Sequence, residues 1–419
     1  MLNLPFLKKA NQENLIKSNI NCMVLDIGTE VLKSMLFSMD NLGVNIKRIS
    51  RIQQQEHAMK AGIIKNLDTV LENCKLSVEE LTQDLTEEQY PKYVIMGVAG
   101  EYVQGVSIVV NYQREENYEL EVSEKEEERI VSKVRDKIEE SGRKDLSQRI
   151  GLKYEDIDIL HITPTGKEIG GMPVNSLVGY KGKDVKLNFY ASFAPKTYIE
   201  ALKKVAESLG LELLGIVSQP FTVARAFSGC SDSDFNSIFI DVGGGTTDVA
   251  VVEKGNVTET KMFGFGGRVF TKEISKLLNL EYRYAEQRKI KYSNRGLSPA
   301  LSKKIQSICY NTGKLWMKTL KAALDSCDDV EVFPPQIYLC GGGALLPEIK
   351  EVMIEFPWKQ VLPFPVVPKI KTFKPELLSN INDSSGKLKH IYDITPASLA
   401  RFAYDQEIEK LGISIVGGN

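Results

Sequence analysis

The sequence predicts an α/β fold of two lobes built on one duplicated unit. Three observations carry that expectation. Two strand–turn–strand segments share an Asp-x-Gly turn. At 419 residues the chain exceeds what a single hydrophobic core serves. A long charged helix with its own flanking strands lies between the two segments.

The first unit begins near Asn21. Met23-Val24-Leu25 reads as a buried strand entering Asp26-Ile27-Gly28-Thr29, and a second strand runs from Val31 to Ser38. Downstream, Ile238-Phe239-Ile240 enters Asp241-Val242-Gly243-Gly244-Gly245-Thr246-Thr247-Asp248 and continues from Val249 to Val252. Between them, Ser123 to Lys144 is expected to be helical, with Ile130, Val134 and Ile138 on one stripe and glutamates elsewhere. Strand-like runs at Val103–Tyr112, Ile157–Thr163 and Val185–Ala194 surround it, which makes a compact inserted module. Pro195 to Leu209 reads as a helix stopped by Gly210, and Leu213–Val217 as a strand. Helices follow at 268–280 and 299–326. Ile337–Cys340 is a strand ending in Gly341-Gly342-Gly343, and Ser379–Lys387 is a polar loop.

Composition narrows the function. Hydrophobic residues make up 42% and charged residues 26%, with a formal charge of −2, as in ordinary soluble globular proteins. That balance gives no global attraction to nucleic acid. Six cysteines are scattered without a CxxC pair, which points to free thiols in a reducing cytoplasm. The three histidines, His57, His161 and His390, are not at metal-ligand spacing. No stretch reaches the roughly 20 apolar residues of a membrane helix, and Met1–Leu7 is too short for a signal peptide.

The glycine turns carry the chemistry. A bound triphosphate needs close backbone approach, so glycine replaces side chains where amides face phosphate oxygens. Gly28-Thr29 and Gly243-Gly244-Gly245-Thr246-Thr247 supply two such turns, each preceded by an acid, Asp26 or Asp241. Carboxylates beside phosphate repel it unless a hard cation bridges them, and magnesium held through its own waters is the natural bridge. Lys33 is spaced to reach the β-phosphate as a point charge.

With these residues the chain resembles the superfamily of actin, sugar kinases and heat-shock chaperone ATPases, and within it FtsA and PilM. Asp26–Lys33 matches the first phosphate motif and Asp241–Asp248 the second. Gly341–Pro347 matches the adenosine motif, in which Gly341, Gly342 and Gly343 would sit against nucleotide and Leu345 on adenine. Ala285–Lys289 resembles the segment that lines ribose and adenine, through Glu286 and Lys289; an ordinary solvated helix pair is the other reading. Gln219 falls where the connecting helix begins and the family orients an attacking water. With Pro220 at the first helical position, Gln219 would be the amino-terminal cap, and a plain cap is its other reading. Lys60–Asn66 and Gly170–Gly182 resemble FtsA, while Gly264–Ile274 and Gln219–Phe227 look as much like PilM.

The resemblance implies an actin-like fold of duplicated ribonuclease-H-like domains with an FtsA-type inserted subdomain. Its expected layout is a tail at 1–20, a first lobe at 21–112 and 188–232, and the insert at 113–187. The second lobe takes 233–396, with a small subdomain near 263–335, and 397–419 returns to the first lobe. ATP and Mg2+ are the implied cofactors, with Asp26 and Asp241 as the metal carboxylates. Catalysis, if present, would be slow ATP hydrolysis involving Gln219, Asp26 and Asp241. The implied roles are a polymerising scaffold of cell division at the inner face of the cytoplasmic membrane, or a PilM-type adaptor that binds the cytoplasmic tail of a pilus or secretion protein. A small-molecule kinase ranks last, because no catalytic Asp base is evident. FtsA usually ends in a basic amphipathic helix, whereas this chain ends Glu407–Asn419 without basic character; Leu2, Leu4, Phe6 and Leu7 beside Lys8 and Lys9 offer a substitute membrane anchor, and a disordered or core-packed tail is their other reading.

Overall fold

Two sheets with the same strand order organise the chain. The structure, a computed structural model, describes residues 15–18, 20–100, 102–174, 176–227, 234–327 and 330–410. The amino-terminal anchor candidates and residues 411–419 lie outside the described residues.

A short helix α1 (Leu15–Ser18) precedes the antiparallel strands β1 (Cys22–Ile27), β2 (Val31–Asp40) and β3 (Gly43–Gln53). A small hairpin, β4 (Met59–Lys60) and β5 (Ile63–Ile64), leads to α2 (Leu67–Thr82) and β6 (Tyr93–Val98). Next come β7 (Gln104–Gln113), α3 (Glu124–Ile150), β8 (Ile157–Ile169), β9 (Met172–Val174) and β10 (Asp184–Pro195). Helix α4 (Lys196–Ser208), β11 (Glu212–Ser218) and α5 (Gln219–Arg225) complete the first half. The second half repeats the pattern with β12 (Ser237–Val242), β13 (Thr247–Glu253) and β14 (Asn256–Phe263). Helices α6 (Gly267–Leu278), α7 (Tyr282–Ser293) and α8 (Pro299–Asp325) follow, then β15 (Gln336–Cys340), α9 (Pro347–Glu355) and α10 (Trp358–Val361). Strands β16 (Lys369–Thr372) and β17 (Ile381–Asp383) and helix α11 (Ile394–Lys410) end the described chain.

The first lobe orders its strands β3-β2-β1-β6-β11 and the second β14-β13-β12-β15-β16. In each, three antiparallel strands are followed by two that run parallel to the first. The duplication expected from the two Asp-x-Gly segments is thus a repeat of whole sheets. One core cluster spans both lobes, joining Phe221, Phe239, Tyr338 and Phe373 to α11.

The insert packs Ile130, Val134 and Ile138 of α3, all buried, onto β7, β8 and β10, as the stripe predicts. Ser123 caps α3 by accepting from the Glu126 amide, and three first-turn glutamates complement the helix dipole. The helix runs beyond Lys144 to Ile150, where Gly151 at φ 70° ends it. Edges drawn at 113 and 187 cut β7 and β10, which pair continuously from Asp184 opposite Gln113 to Phe193 opposite Gln104. β7 also meets β14, so the insert's sheet continues that of the second lobe. The stretch Ser379–Lys387 is not wholly a loop: Ile381–Asp383 adds β17 to the edge of β3.

Candidate functional site

The two Asp-x-Gly hairpins meet between the lobes. Asp26 sits directly opposite Lys33 in the β1–β2 register, and Nζ donates to Oδ2 at 2.6 Å. The other carboxylate oxygen accepts from Gln219 Nε2 at 2.8 Å. Gln219 is the first residue of α5 and Pro220 the second, with Ser218 in the cap position, one place off the expected cap. Its amide nevertheless faces the cleft. Gly97 makes room for it, since a Cβ there would lie 2.9 Å from Gln219 Cγ.

In the second hairpin the equivalent register pairs Asp241 with Asp248, so an acid stands where the first hairpin has lysine. Asp241 Oδ2 accepts from the Thr395 hydroxyl at the start of α11. Asp248 Oδ2 accepts from Thr246 Oγ1 at 3.4 Å, and its buried Oδ1 has no partner. Burial raises the Asp241 carboxyl above its ordinary range, Lys33 and Thr395 oppose the shift, and Asp26 adds to it. Burial and then Asp241 push Asp248 well above that range. Burial disfavours the Lys33 charge, but Asp26 and Asp241 outweigh it and hold the ammonium above its usual value. In the sequence Asp248 stands only as the end of the second phosphate motif, with no role of its own. The signal was its position seven residues after Asp241, the same spacing that separates Lys33 from Asp26.

The glycines serve close approach. A Cβ on Gly245 would lie 2.3 Å from Thr29 Oγ1, and one on Gly244 would lie 2.7 Å from Glu30 Cβ. The two turns therefore touch across the lobes. Gly28 and Gly243 close their turns through Gly28 N to Asp26 O at 3.0 Å and Gly243 N to Thr246 O at 2.9 Å. Gly341 adopts φ +85°, and a Cβ there would lie 2.0 Å from Asp241 Oδ1. Gly343 packs on Val242, while Gly342 faces open space and Leu345 is 45% exposed beside it.

Two expected ligands are otherwise engaged. Thr247 Oγ1 donates to Phe265 O and accepts from Trp316 Nε1, which ties the turn to α8. Lys289 Nζ is buried among Gly267 O, Thr271 Oγ1 and Glu286, at 3.0, 2.8 and 2.8 Å. The Glu286–Lys289 pair is therefore an internal brace beside the second turn and not a solvated surface pair.

The residues present fit a magnesium–triphosphate. Three buried carboxylates face one ammonium, the Asp248 oxygen is orphaned, and glycines keep the turns clear of side chains. Among the described residues no three His, Cys, Asp or Glu side chains form a ready-made metal site, so a cation here would draw most of its ligands from water and phosphate.

A duplicated sheet pair that closes two Asp-Gly hairpins on a common cleft is an actin-like fold. Residues 238–383 match the family model described as Cell division protein FtsA. The chain is similar to Cell division protein FtsA of Neisseria meningitidis, 24% identical over 64% of this chain and 60% of that protein. FtsA of Enterococcus hirae is 24% identical over 88% of this chain and 84% of its own length. Among solved structures, the PilM-PilN type IV pilus biogenesis complex matches with a TM-score of 0.65 and 15% identity, covering 92% of this chain and 99% of that one. The chain thus shares its fold with the PilM chain of that complex and is similar in sequence to FtsA proteins.

Proposed function

We propose that this protein binds ATP with magnesium between its lobes and assembles as an actin-like scaffold at the inner face of the cytoplasmic membrane, as in cell division. The observation that supports it is the cleft itself: two equivalent hairpins present Asp26, Lys33, Asp241 and Asp248 around glycine turns that touch across the lobes. Magnesium would neutralise the excess acid, and its waters would meet Asp26 and Asp241. The amides of the Gly28 and Gly243–Thr246 turns and Lys33 would position the triphosphate. Gly342, open on its outer side, would leave room for adenosine, with Leu345 as its apolar floor. Gln219 would hold an attacking water while anchored to Asp26, giving slow hydrolysis by positioning and charge neutralisation. Nucleotide held by both lobes favours the closed state by its differential affinity, which would couple binding to assembly.

The PilM-PilN likeness supports a second reading, an adaptor that binds the cytoplasmic tail of a membrane protein. No helix among the described residues is long and apolar enough to cross a membrane. Electron microscopy of purified protein with and without ATP and anionic vesicles separates the two. Filaments that need ATP support the scaffold. A monomer that binds nucleotide and never polymerises contradicts the scaffold and leaves the adaptor.

A further inference from the structure

Arg268 joins the two glycine turns in one residue. Its backbone N–H donates to Gly244 O at 2.8 Å, and that of Gly267 beside it to Gly243 O at 2.9 Å, so the start of α6 is fixed to the second turn. Its side chain crosses to the first lobe. Nε donates to Glu30 Oε1 at 2.7 Å, Nη1 to Met59 O at 2.6 Å and Nη2 to Thr29 O at 3.0 Å. Tyr282 of α7 donates to the same Glu30 oxygen, and Gln53 Nε2 donates to the other at 3.3 Å. Both charged side chains are 11% exposed.

We propose that Arg268, Glu30 and Tyr282 form a latch that holds the lobes closed over the nucleotide cleft and limits exchange of its contents. Three of the guanidinium's donors reach acceptors of the first lobe, a geometry that a lysine cannot copy. Glu30 lies against Gly244, so opening the cleft has to break the ion pair and part these two residues together. A charge-assisted bond shielded from solvent keeps its strength, and three acceptors on one side chain must be released together. These closing contacts are made entirely by the protein's own residues. The gating role rests on the nucleotide reading above, whereas the closure does not.

The test uses the full chain and the variants Arg268→Ala, Glu30→Gln and their combination. Amide hydrogen exchange of nucleotide-free protein is the first readout, and release of a fluorescent ATP analogue is the second. Arg268→Ala should speed exchange about tenfold or more in the facing segments 28–31 and 243–246, leaving the remainder of both lobes unchanged. Analogue release should accelerate about tenfold, Arg268→Lys should fall between, and the combined variant should be no worse than the more severe single one. Unchanged exchange at both turns, or faster exchange throughout the second lobe, would overturn the latch. So would release as slow as wild type from a variant whose turns exchange faster. If wild type binds no ATP analogue, the proposed function fails, and the exchange readout still decides whether the latch exists.

Discussion

Replacing Lys33 by Met tests the charge balance of the cleft. The substitution keeps most of the side-chain volume and removes the ammonium that contacts Asp26 at 2.6 Å. Deleting one member of a buried ion pair costs about 3–5 kcal/mol. Lys33 is 16% exposed and Asp26 3%, and Asp26 retains its bond from Gln219, so the lower end, ~3 kcal/mol, applies. The pH dependence has a definite sign. Asp241 and Asp248 have raised folded-state pKa values, so their contribution to stability is complete below the unfolded carboxylate pKa and is lost as pH rises through the folded one. Lys33 opposes the rise at both, so without it the loss deepens. The gap between wild type and variant should therefore narrow as pH falls from 8 towards 5. It should also narrow in millimolar magnesium, which supplies the missing positive charge. Urea denaturation followed by circular dichroism at several pH values, with and without magnesium, reads both effects. A gap that ignores pH and magnesium would refute the reasoning.

Three further outcomes are expected. Gln219→Ala should lower ATP hydrolysis about tenfold or more with little change in affinity, because a water-orienting contact matters mainly in the transition state; equal losses in both quantities would make it structural. His161 is buried against Tyr190, Phe221 and Phe402, which depresses its pKa to about 3. The folded state should therefore lose ~1.4 kcal/mol per pH unit as pH falls from about 6.5 towards that value, relative to His161→Gln, and parallel pH profiles would contradict this. On the insert, Leu120 and Tyr180 are exposed on adjoining segments, bridged by Val122 N to Tyr180 O. Leu120→Asp with Tyr180→Asp should abolish filaments while ATP affinity stays within about threefold, since surface changes rarely disturb a distant site; normal filaments would exclude this face from assembly.

The parts of the fold legible in the sequence were those with a local signature. Both hairpins announced themselves by an acid and glycine after an apolar strand, and α3 by its single buried stripe. Helix α2 buries Asn73 and Ser77 beside its apolar residues, with Ser77 Oγ bonded to Ser34 and Ser50, so polar letters interrupt its stripe. Helix α11 is covered on nearly every side and therefore has no amphipathic period. Strand β17 is three residues within a polar stretch and forms only because β3 offers an edge. In the site, residue types were legible and partners were not. The i,i+3 spacing of Glu286 and Lys289 was legible, but that Lys289 also bonds Thr271 of α6, and Thr247 bonds Trp316 of α8, depends on other helices.

Calorimetric titration of Mg-ATP into wild type and Asp241→Ala tests the central claim most directly. Wild type should show one magnesium-dependent site. Binding to the variant should be weaker by about a hundredfold or more, the equivalent of ~2.7 kcal/mol for one lost charge-assisted anchor. Absence of ATP binding in wild type, or equal affinity in a folded Asp241→Ala protein, would contradict it.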